Sequence, residues 1–414
     1  MHLDPNTLHD VQRHTEEQYP SLQELRRKLH QYPELSGQES RTANLLAEEL
    51  DTLDLDVRTG IGGYGLIADL ITDTSKPTVA LRVDMDALPI QEINDVPYRS
   101  KVPGVSHACG HDVHSAIGVG TATVLKHLEE ILPGNVRIIF QPEEEEITGA
   151  LNMIHEGALE NPIPKAIFGC HIAPMPVGQI AWSDGLFLAG FDHYLGTVSP
   201  QEGVNPSLDQ LDAVAKQCCQ LILSLNKWRL PNTWDEMGIV WDKMREGPPD
   251  LQQFIVYDAS TDEDEPSGWY GQFGVGVKAA NQDLRQLALE RINAKLYPIC
   301  REANCDFQIA SWGTMPDMVN HSELVRSTLP ALTKAIGSHN TIQLKAAFPF
   351  NCEDFAYYTD ITPGAMYWLG GANPTNGKYA MLHTPDFDVD ERCLATGTIA
   401  MTILIMETLL LKSS

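Results

Sequence analysis

At 414 residues the chain exceeds what one hydrophobic core usually serves, so two domains are the expectation. An apolar fraction of 43% with regular patterning excludes a disordered or fibrous protein. The 56 acids against 29 Lys and Arg give a net charge of −27, which repels nucleic acid and anionic membranes and favours solubility.

Residues 1–6 carry neither a basic region nor an apolar run, so no signal peptide is expected. Residues 20–53 read as two helices. Pro20-Ser21-Leu22 opens the first and Tyr32-Pro33-Glu34 closes it, because proline disfavours helix in the residue before it. Leu45, Leu46, Leu50 and Leu53 then recur at helical spacing. Residues 64–70 and 78–83 are short apolar runs bounded by Gly, Asp, Lys and Pro, the pattern of strands, and the second ends in Asp84-Met85-Asp86. After His107-Ala108-Cys109-Gly110-His111-Asp112-Val113-His114 comes a long helix with Ile117, Val124, Leu125, Leu128 and Ile131 as its apolar face. A strand over 136–140 stops at Gln141-Pro142, a helix spans roughly 149–156, and a strand over 166–171 ends in His171. This alternation predicts a doubly wound α/β domain with a mixed sheet. Reactive groups in such sheets gather beyond the carboxyl ends of strands, where Asp84, Glu144, Glu145 and His171 all fall.

Near residue 190 the texture changes. Strands are expected at 191–199, 237–241, 254–257 and 269–280, with helices at 208–225 and 282–300. They make a smaller α+β, ferredoxin-like insert, and the acidic run 262–266 reads as a loop within it. The expected division is a catalytic domain from 1–190 and 310–414, with a lid or dimerisation-type domain at 191–309. A sheet strand at 366–370 and the loop Leu382-His383-Thr384-Pro385 follow. The final apolar stretch, 396–411, includes Glu407 and is short for a bilayer, so it reads as a buried helix. Eight cysteines without framework spacing, Cys218-Cys219 among them, are thiol usage for a reducing compartment, and the expected location is the cytoplasm.

Within the His-rich loop, Gly110 lets the chain bend so that a thiolate at Cys109 and an imidazole at His111 turn toward one divalent ion. Collected, Cys109, His111, Glu144, Glu145, His171 and His383 can supply two adjacent ions and leave one carboxylate over as a proton shuttle. Each piece taken singly has a plainer reading: a solvated acidic turn for residues 143–146, satisfied core or surface imidazoles for His171 and His383, helix caps for Asp84 and Asp86. His2, His9, His14, His127, His155 and His339 have no supporting context and are assigned no function.

The chain resembles the M20 metallopeptidases, and among them the amidohydrolase subfamily of hippurate hydrolases and auxin–amino acid conjugate hydrolases. The motifs carrying the resemblance are Leu29-His30-Gln31-Tyr32-Pro33-Glu34-Leu35, Leu81-Arg82-Val83-Asp84-Met85-Asp86-Ala87-Leu88-Pro89 and His107-Ala108-Cys109-Gly110-His111-Asp112. Phe140-Gln141-Pro142-Glu143-Glu144-Glu145, Gly169-Cys170-His171, Cys352-Glu353-Asp354-Phe355 and Leu382-His383-Thr384-Pro385 complete the set. The resemblance implies metal ligation by Cys109, His111, Glu145, His171 and His383, with Glu144 as general base. Asp84, Asp86, Asp112 and His114 would stand behind the ligands and orient them.

It also implies two divalent ions per chain, zinc or manganese with cobalt or nickel as alternatives, and hydrolysis of an amide bond in an N-acyl amino acid or similar conjugate by metal-activated water. A dipeptidase or carboxypeptidase of the same clan, and a non-catalytic metal-binding derivative, are the alternatives. The insert departs from the family, whose lid carries a Gly-Gly-His-Ala turn that reaches a partner's active site. Here no histidine lies between Tyr194 and Asn320, and a homodimer stays open. The nearest histidine, His193, is expected not to serve a partner's site. Asn205, Lys278 or Arg229 are the candidate replacements, and Trp228, Trp234, Trp241, Trp269 and Tyr270 read as core packing or as a lining for an apolar acyl group.

Overall fold

A computed structural model describes residues 3–261 and 270–411; His2, the acidic loop 262–266 and Trp269 lie outside the described residues. Strands β1 (Asp56–Ile61), β2 (Gly65–Leu70), β3 (Thr78–Asp84), β4 (Asn135–Gln141), β5 (Pro164–Pro176) and β6 (Ile180–Ser183) join two later ones, β13 (Thr341–Leu344) and β14 (Gly364–Ala372). Together they form one sheet in the order β1-β2-β4-β3-β5-β14-β6-β13. Neighbours β4, β3, β5 and β14 run parallel, while β1, β2 and β4 pair antiparallel. Every residue of β3 and β4 is buried, as expected of central strands covered on both faces.

Alternate side chains separate the two cores. Val79, Leu81 and Val83 point to the face covered by α1 (Pro5–Gln31), α2 (Ser40–Asp51), α3 (His111–His127), α9 (Ser322–Ile336) and α11 (Cys393–Leu410). Ala80, with Ile139 and Ile167 from the neighbouring strands, points to the other face, under α4 (Gly149–His155), α6 (Trp234–Glu246), α7 (Pro249–Gln252) and α10 (Ala356–Thr359). Among the described residues α11 is the one helix long and apolar enough to cross a membrane, and here it is buried in the first core.

The insert forms a second, antiparallel sheet from β8 (Gly190–Pro200), β9 (Ile255–Ser260), β10 (Gln272–Ala279) and β11 (Cys305–Met315), in the order β11-β8-β10-β9. With α5 (Leu208–Leu223) and α8 (Gln282–Glu302) packed on it this is the ferredoxin-like arrangement. Burial alternates along β8, so one face carries the small core and the other is half open. Two short strands, β7 (Leu186–Leu188) and β12 (Met318–Val319), pair where the insert joins the large domain.

Three local expectations are corrected. Pro20 does not open a helix but lies inside α1, which begins at an Asp4 cap accepting from the N–H groups of Asn6 and Thr7. The carbonyl that Pro20 fails to bond is four residues back, on exposed Glu16, where water can replace the lost donor. Residues 237–241 are helical rather than a strand: the Thr233 hydroxyl caps α6, acids fill its first turn and Gly247 ends it in the left-handed region. Met237, Trp241 and Met244 recur at helical spacing, and they pack on the large sheet, not on the insert's own. Ile131 lies past the end of α3 in a short 3-10 turn (Glu129–Ile131) and is 53% exposed, because the helix has already finished at His127.

Beneath α3, the fully buried guanidinium of Arg26 pairs with Asp112 at 2.7 Å and Asp388 at 3.2 Å, and Tyr98 donates its hydroxyl to Asp388 at 2.9 Å. Burial favours the protonated form of Asp388, but Arg26 and Lys378 overcome it and hold the pKa below the usual carboxylate value. Such a group stabilises the fold above its unfolded pKa near ~3.9, and the contribution is lost as pH falls further. Arg26→Met, by stranding these carboxylates, should cost ~3–5 kcal/mol in urea unfolding at pH 7. It should also flatten the loss of stability below about pH 4. An unchanged midpoint and acid limb would show that the cluster contributes nothing.

Candidate metal centre

Strand β3 is the switch point of the large sheet, with β4 on one side and β5 on the other, so a crevice opens beyond its carboxyl end. Three loops converge there. The first, after β3, carries Asp84 and Asp86 and ends in Cys109 at the start of α3. Gly110 makes that entry, with φ 85°, and a Cβ in its place would sit 2.5 Å from Ile172 Cγ2. The second loop follows β4 and turns back at Glu143, whose φ of 56° directs Glu144 and Glu145 into the crevice. Its end is equally tight, since a Cβ on Gly149 would fall 1.7 Å from the Pro142 carbonyl oxygen. The third brings His383, at φ 60°, with its N–H on the Ala108 carbonyl at 2.9 Å.

The five predicted ligand groups and Glu144 come together at this point. Cys109 Sγ lies 3.4 Å from His171 Nε2 and 3.2 Å from His383 Nε2. Glu145 Oε1 is 3.4 Å from the same His383 nitrogen and 3.9 Å from His111 Nε2, which is also 3.9 Å from Glu144 Oε2. Hydrogen bonds on the far side fix the rings. His111 Nδ1 donates to Asp86 at 3.0 Å and His171 Nδ1 donates to the Ile172 carbonyl at 2.7 Å, so both Nε2 lone pairs face the cluster.

Asp86 also accepts from Ser36 Oγ at 2.7 Å and from the Glu145 N–H at 3.0 Å, tying three segments to one carboxylate. Asp84 accepts from His114 Nδ1 at 2.5 Å, and His114 Nε2 accepts from the Ile172 N–H at 2.8 Å. Both nitrogens of His114 are thus engaged, although Asp84, His111 and His114 lie close enough together to form a possible ligand group. Asp112 faces away from the cluster, toward His30 at 2.7 Å and Arg26.

The sequence reading gave no role to Arg82, Gln141, Glu353 or Asp354. Arg82 is buried and bridges Asp84 at 2.6 Å, Asp354 at 2.8 Å and Glu353 at 3.2 Å, while Gln141 Nε2 donates to both oxygens of Asp354. Their signal was present in the motifs Leu81-Arg82-Val83-Asp84 and Cys352-Glu353-Asp354-Phe355, but nothing local says that residues 272 positions apart meet.

The cluster fits divalent metal. His111 Nε2 and Glu145 Oε1 are buried with no hydrogen-bond partner among the described residues, a costly state unless a cation takes them up. The donors are thiolate, imidazole and carboxylate, a set that binds zinc-like ions. The electrostatics agree. Burial and then Glu145 and Glu144 hold the Cys109 thiol well above its ordinary pKa. Against burial, Asp84, Asp86 and Glu145 push His111 up to about 10. Burial, followed by Glu353, Glu145 and Asp354, raises Glu144 as well. These shifts share a cause, a surplus of buried negative charge that dications neutralise.

From the insert, Lys278 on β10 reaches the same chamber, a cavity of about 220 Å³ lined by Cys109, Glu144, His171, Glu353 and His383 among others, and donates to the Phe350 carbonyl at 2.7 Å. Asn205 and Arg229 are exposed and do not line it. His193 is stacked between Phe191 and Trp312, at ring-centroid distances of 5.7 and 5.3 Å. Trp228 and Trp241 pack with the large sheet's core.

The model of peptidase family M20/M25/M40 matches residues 80–407. The IAA-amino acid hydrolase ILR1-like 2 of Arabidopsis thaliana is 32% identical over 398 residues, covering 94% of this chain and 85% of its own length. The N-acetylcysteine deacetylase of Bacillus subtilis (strain 168) is 30% identical over 399 residues, covering 93% and 97%. The solved structure of the Bacillus subtilis YXEP protein, described as a dinuclear metal binding peptidase, superposes with a TM-score of 0.74 at 27% identity, over 95% of this chain and 99% of that one.

Protein purified without chelator should contain close to two transition-metal ions per chain by elemental analysis. Asp86→Ala, which frees His111 to rotate, should weaken metal binding by about 10- to 100-fold in competition with a fluorescent chelator. An Asp86→Ala protein with undiminished affinity would remove Asp86 from this account.

Proposed function

The chain belongs to peptidase family M20/M25/M40 and is a metal-dependent amidohydrolase or peptidase; from that premise we propose that it hydrolyses the amide bond of an N-acyl amino acid or a similar small conjugate, with Glu144 as general base. The observation that carries the reading is the pair of unpartnered buried donors, His111 Nε2 and Glu145 Oε1, in one chamber with Cys109, His171 and His383 and beside a further carboxylate, Glu144.

In this reading Cys109, His111, Glu145, His171 and His383 hold two divalent ions, zinc by the softness of the thiolate, with manganese, cobalt or nickel as alternatives. When bound, such ions polarise a carbonyl and acidify water. The protein does the rest. Glu144 takes a proton from the attacking water and passes it to the leaving amine. Asp86 and the Ile172 carbonyl keep the His111 and His171 rings in place throughout. Lys278 offers an ammonium to the carboxylate of the amino-acid half, in a stretch, residues 194–320, that contains no histidine. The chain divides near residues 190 and 310 into a catalytic part and a lid. Its eight cysteines are all free thiols, which supports a reducing, cytoplasmic setting.

Two measurements test this. A panel of N-acyl amino acids and dipeptides, assayed with metal-reconstituted protein, should show release of amino acid from the acylated series; turnover of dipeptides only would establish the peptidase reading, and no turnover a non-catalytic one. Glu144→Gln should lower kcat by about 10²- to 10⁴-fold with metal content intact, whereas Glu145→Gln should lose metal. Equal metal loss in both variants would overturn the division of roles. His193→Ala should leave kcat at the unaltered value; a large loss would restore a lid histidine to the mechanism.

A further inference from the structure

The loop after β4 is bent more sharply than its residues favour. Glu143 and Ile147 both hold left-handed backbone, at φ 56° and 59°, and neither is glycine. Such residues keep these angles only where the surroundings over-determine them. Part of the restraint is internal: the Glu143 carbonyl accepts from the Gly149 N–H at 3.2 Å and the Glu144 carbonyl from the Ile147 N–H at 2.8 Å. Among the described residues, two further hydrogen bonds reach the backbone of 142–148 from elsewhere in the chain. The Glu145 N–H donates to Asp86 and the Glu143 N–H to Glu39 Oε1, each at 3.0 Å.

Both anchors lead back to the connection between α1 and α2. Ser36 Oγ donates to Asp86 at 2.7 Å, and Glu39 stands three residues on, immediately before α2. The connection is itself fixed. The Ala87 N–H donates to the Glu34 carbonyl at 2.9 Å, and the Glu34 carboxylate accepts from the N–H groups of Arg41 and Thr42 at 3.1 and 2.7 Å, closing the start of α2. Glu39, in the cap position of that helix, makes no cap with its side chain. Its carboxyl is fully buried, and Oε2 has no partner among the described residues. Burial pushes the group up to about 7, against the pull of its backbone hydrogen bonds. For stability alone an apolar side chain of the same size would serve better there. What Glu39 adds is an acceptor for the Glu143 N–H.

We infer that Glu39 is a positioning residue of the metal centre: held by the α1–α2 connection, its carboxyl sets the left-handed turn at Glu143 and so fixes where Glu144 and Glu145 stand. Glu39 is not among the residues lining the chamber, so it acts through the Glu143 N–H and not on a substrate. Its effect on turnover rests on the amidohydrolase reading above, whereas its effect on metal binding does not.

Glu39→Met keeps the volume and removes the acceptor, while Glu39→Gln keeps an oxygen in the place of Oε1. In full-length protein, Glu39→Met should weaken zinc binding about 10- to 100-fold in competition with a fluorescent chelator, as the loss of a group that orients a ligand does. With metal restored, its kcat on an N-acyl amino acid should fall by about 10²-fold, the effect of misplacing a reacting group by ~1 Å, with KM little changed. Urea unfolding of the metal-free variant should show a midpoint no lower than that of the unaltered protein, which a residue serving only packing would not allow. Glu39→Gln should recover both zinc affinity and kcat. Unchanged zinc affinity and kcat in Glu39→Met would overturn the inference, and so would a lowered midpoint in the metal-free state or a Glu39→Gln protein no better than Glu39→Met. If the unaltered protein turns over no conjugate, the amidohydrolase reading fails, and the zinc competition together with the urea midpoint still decides the role of Glu39.

Discussion

One buried guanidinium makes the site possible. Beyond the end of β3 the fold gathers Asp84, Asp86, Glu144, Glu145, Glu353 and Asp354, and carboxylates so close in a low dielectric repel one another and lose their hydration. Arg82, on β3 itself, threads between Asp84, Glu353 and Asp354 and gives three of them a charged partner. Because Gln141 at the end of β4 fixes the orientation of both Arg82 and Asp354, the arrangement is held by the two central strands rather than by loops. Among the described residues, Asp86, Glu144 and Glu145 form no ion pair with Arg82. Asp86 is held by His111 and Ser36, whereas Glu144 lines the chamber with Lys278 and Glu145 lies beside His111 and His383, where bound dications would balance the remaining negative charge. Charge balance thus divides the site into a half settled by the protein and a half left for ions.

Much of this was legible in the sequence, and the physics explains which part. Cys109 and His111 are separated by one glycine, so their convergence is a local property of a turn. The strand ends at Asp84 and Gln141 were visible because apolar runs stop abruptly at polar residues or proline. The Arg82–Asp354 bridge was not visible, since pairing over such a separation is decided by the parallel strand order β3-β5-β14 and not by any window of residues. The segment around Met237 and Trp241 misled for a different reason. A short run rich in bulky apolar residues fits strand and helix alike, and the arbiters were its cap at Thr233 and its stop at Gly247. Pro20 shows the opposite error, a strong local signal overridden by packing: Leu8, Val11, Leu22 and Leu25 lie on one buried face, and that continuity outweighs one missing hydrogen bond.

The insert and the rest of the chain meet unevenly. Most of the insert is an independent small core, but two pieces cross over: Lys278, which brings a cation to the chamber, and α6, which packs on the second core of the large sheet. A movement of the insert would therefore displace both together.

The helix α11 has a consequence for how the molecule is made. It lies against α1, α3 and α9, so that segments far apart in the chain pack together, and the Leu3 N–H reaches the carboxylate of Glu407 across 404 positions. Until residue 410 has left the ribosome, the cavity that α11 fills is bounded by exposed Leu, Val and Ile of the sheet and of α1, which have nothing to close on. The larger core can then be completed only after residue 410 has emerged, whereas the insert, whose strands and helices lie between residues 190 and 315, can fold while the chain is still growing. During that interval the nascent chain would present a finished small domain attached to an unfinished large one, and a quality-control system would meet it in that form.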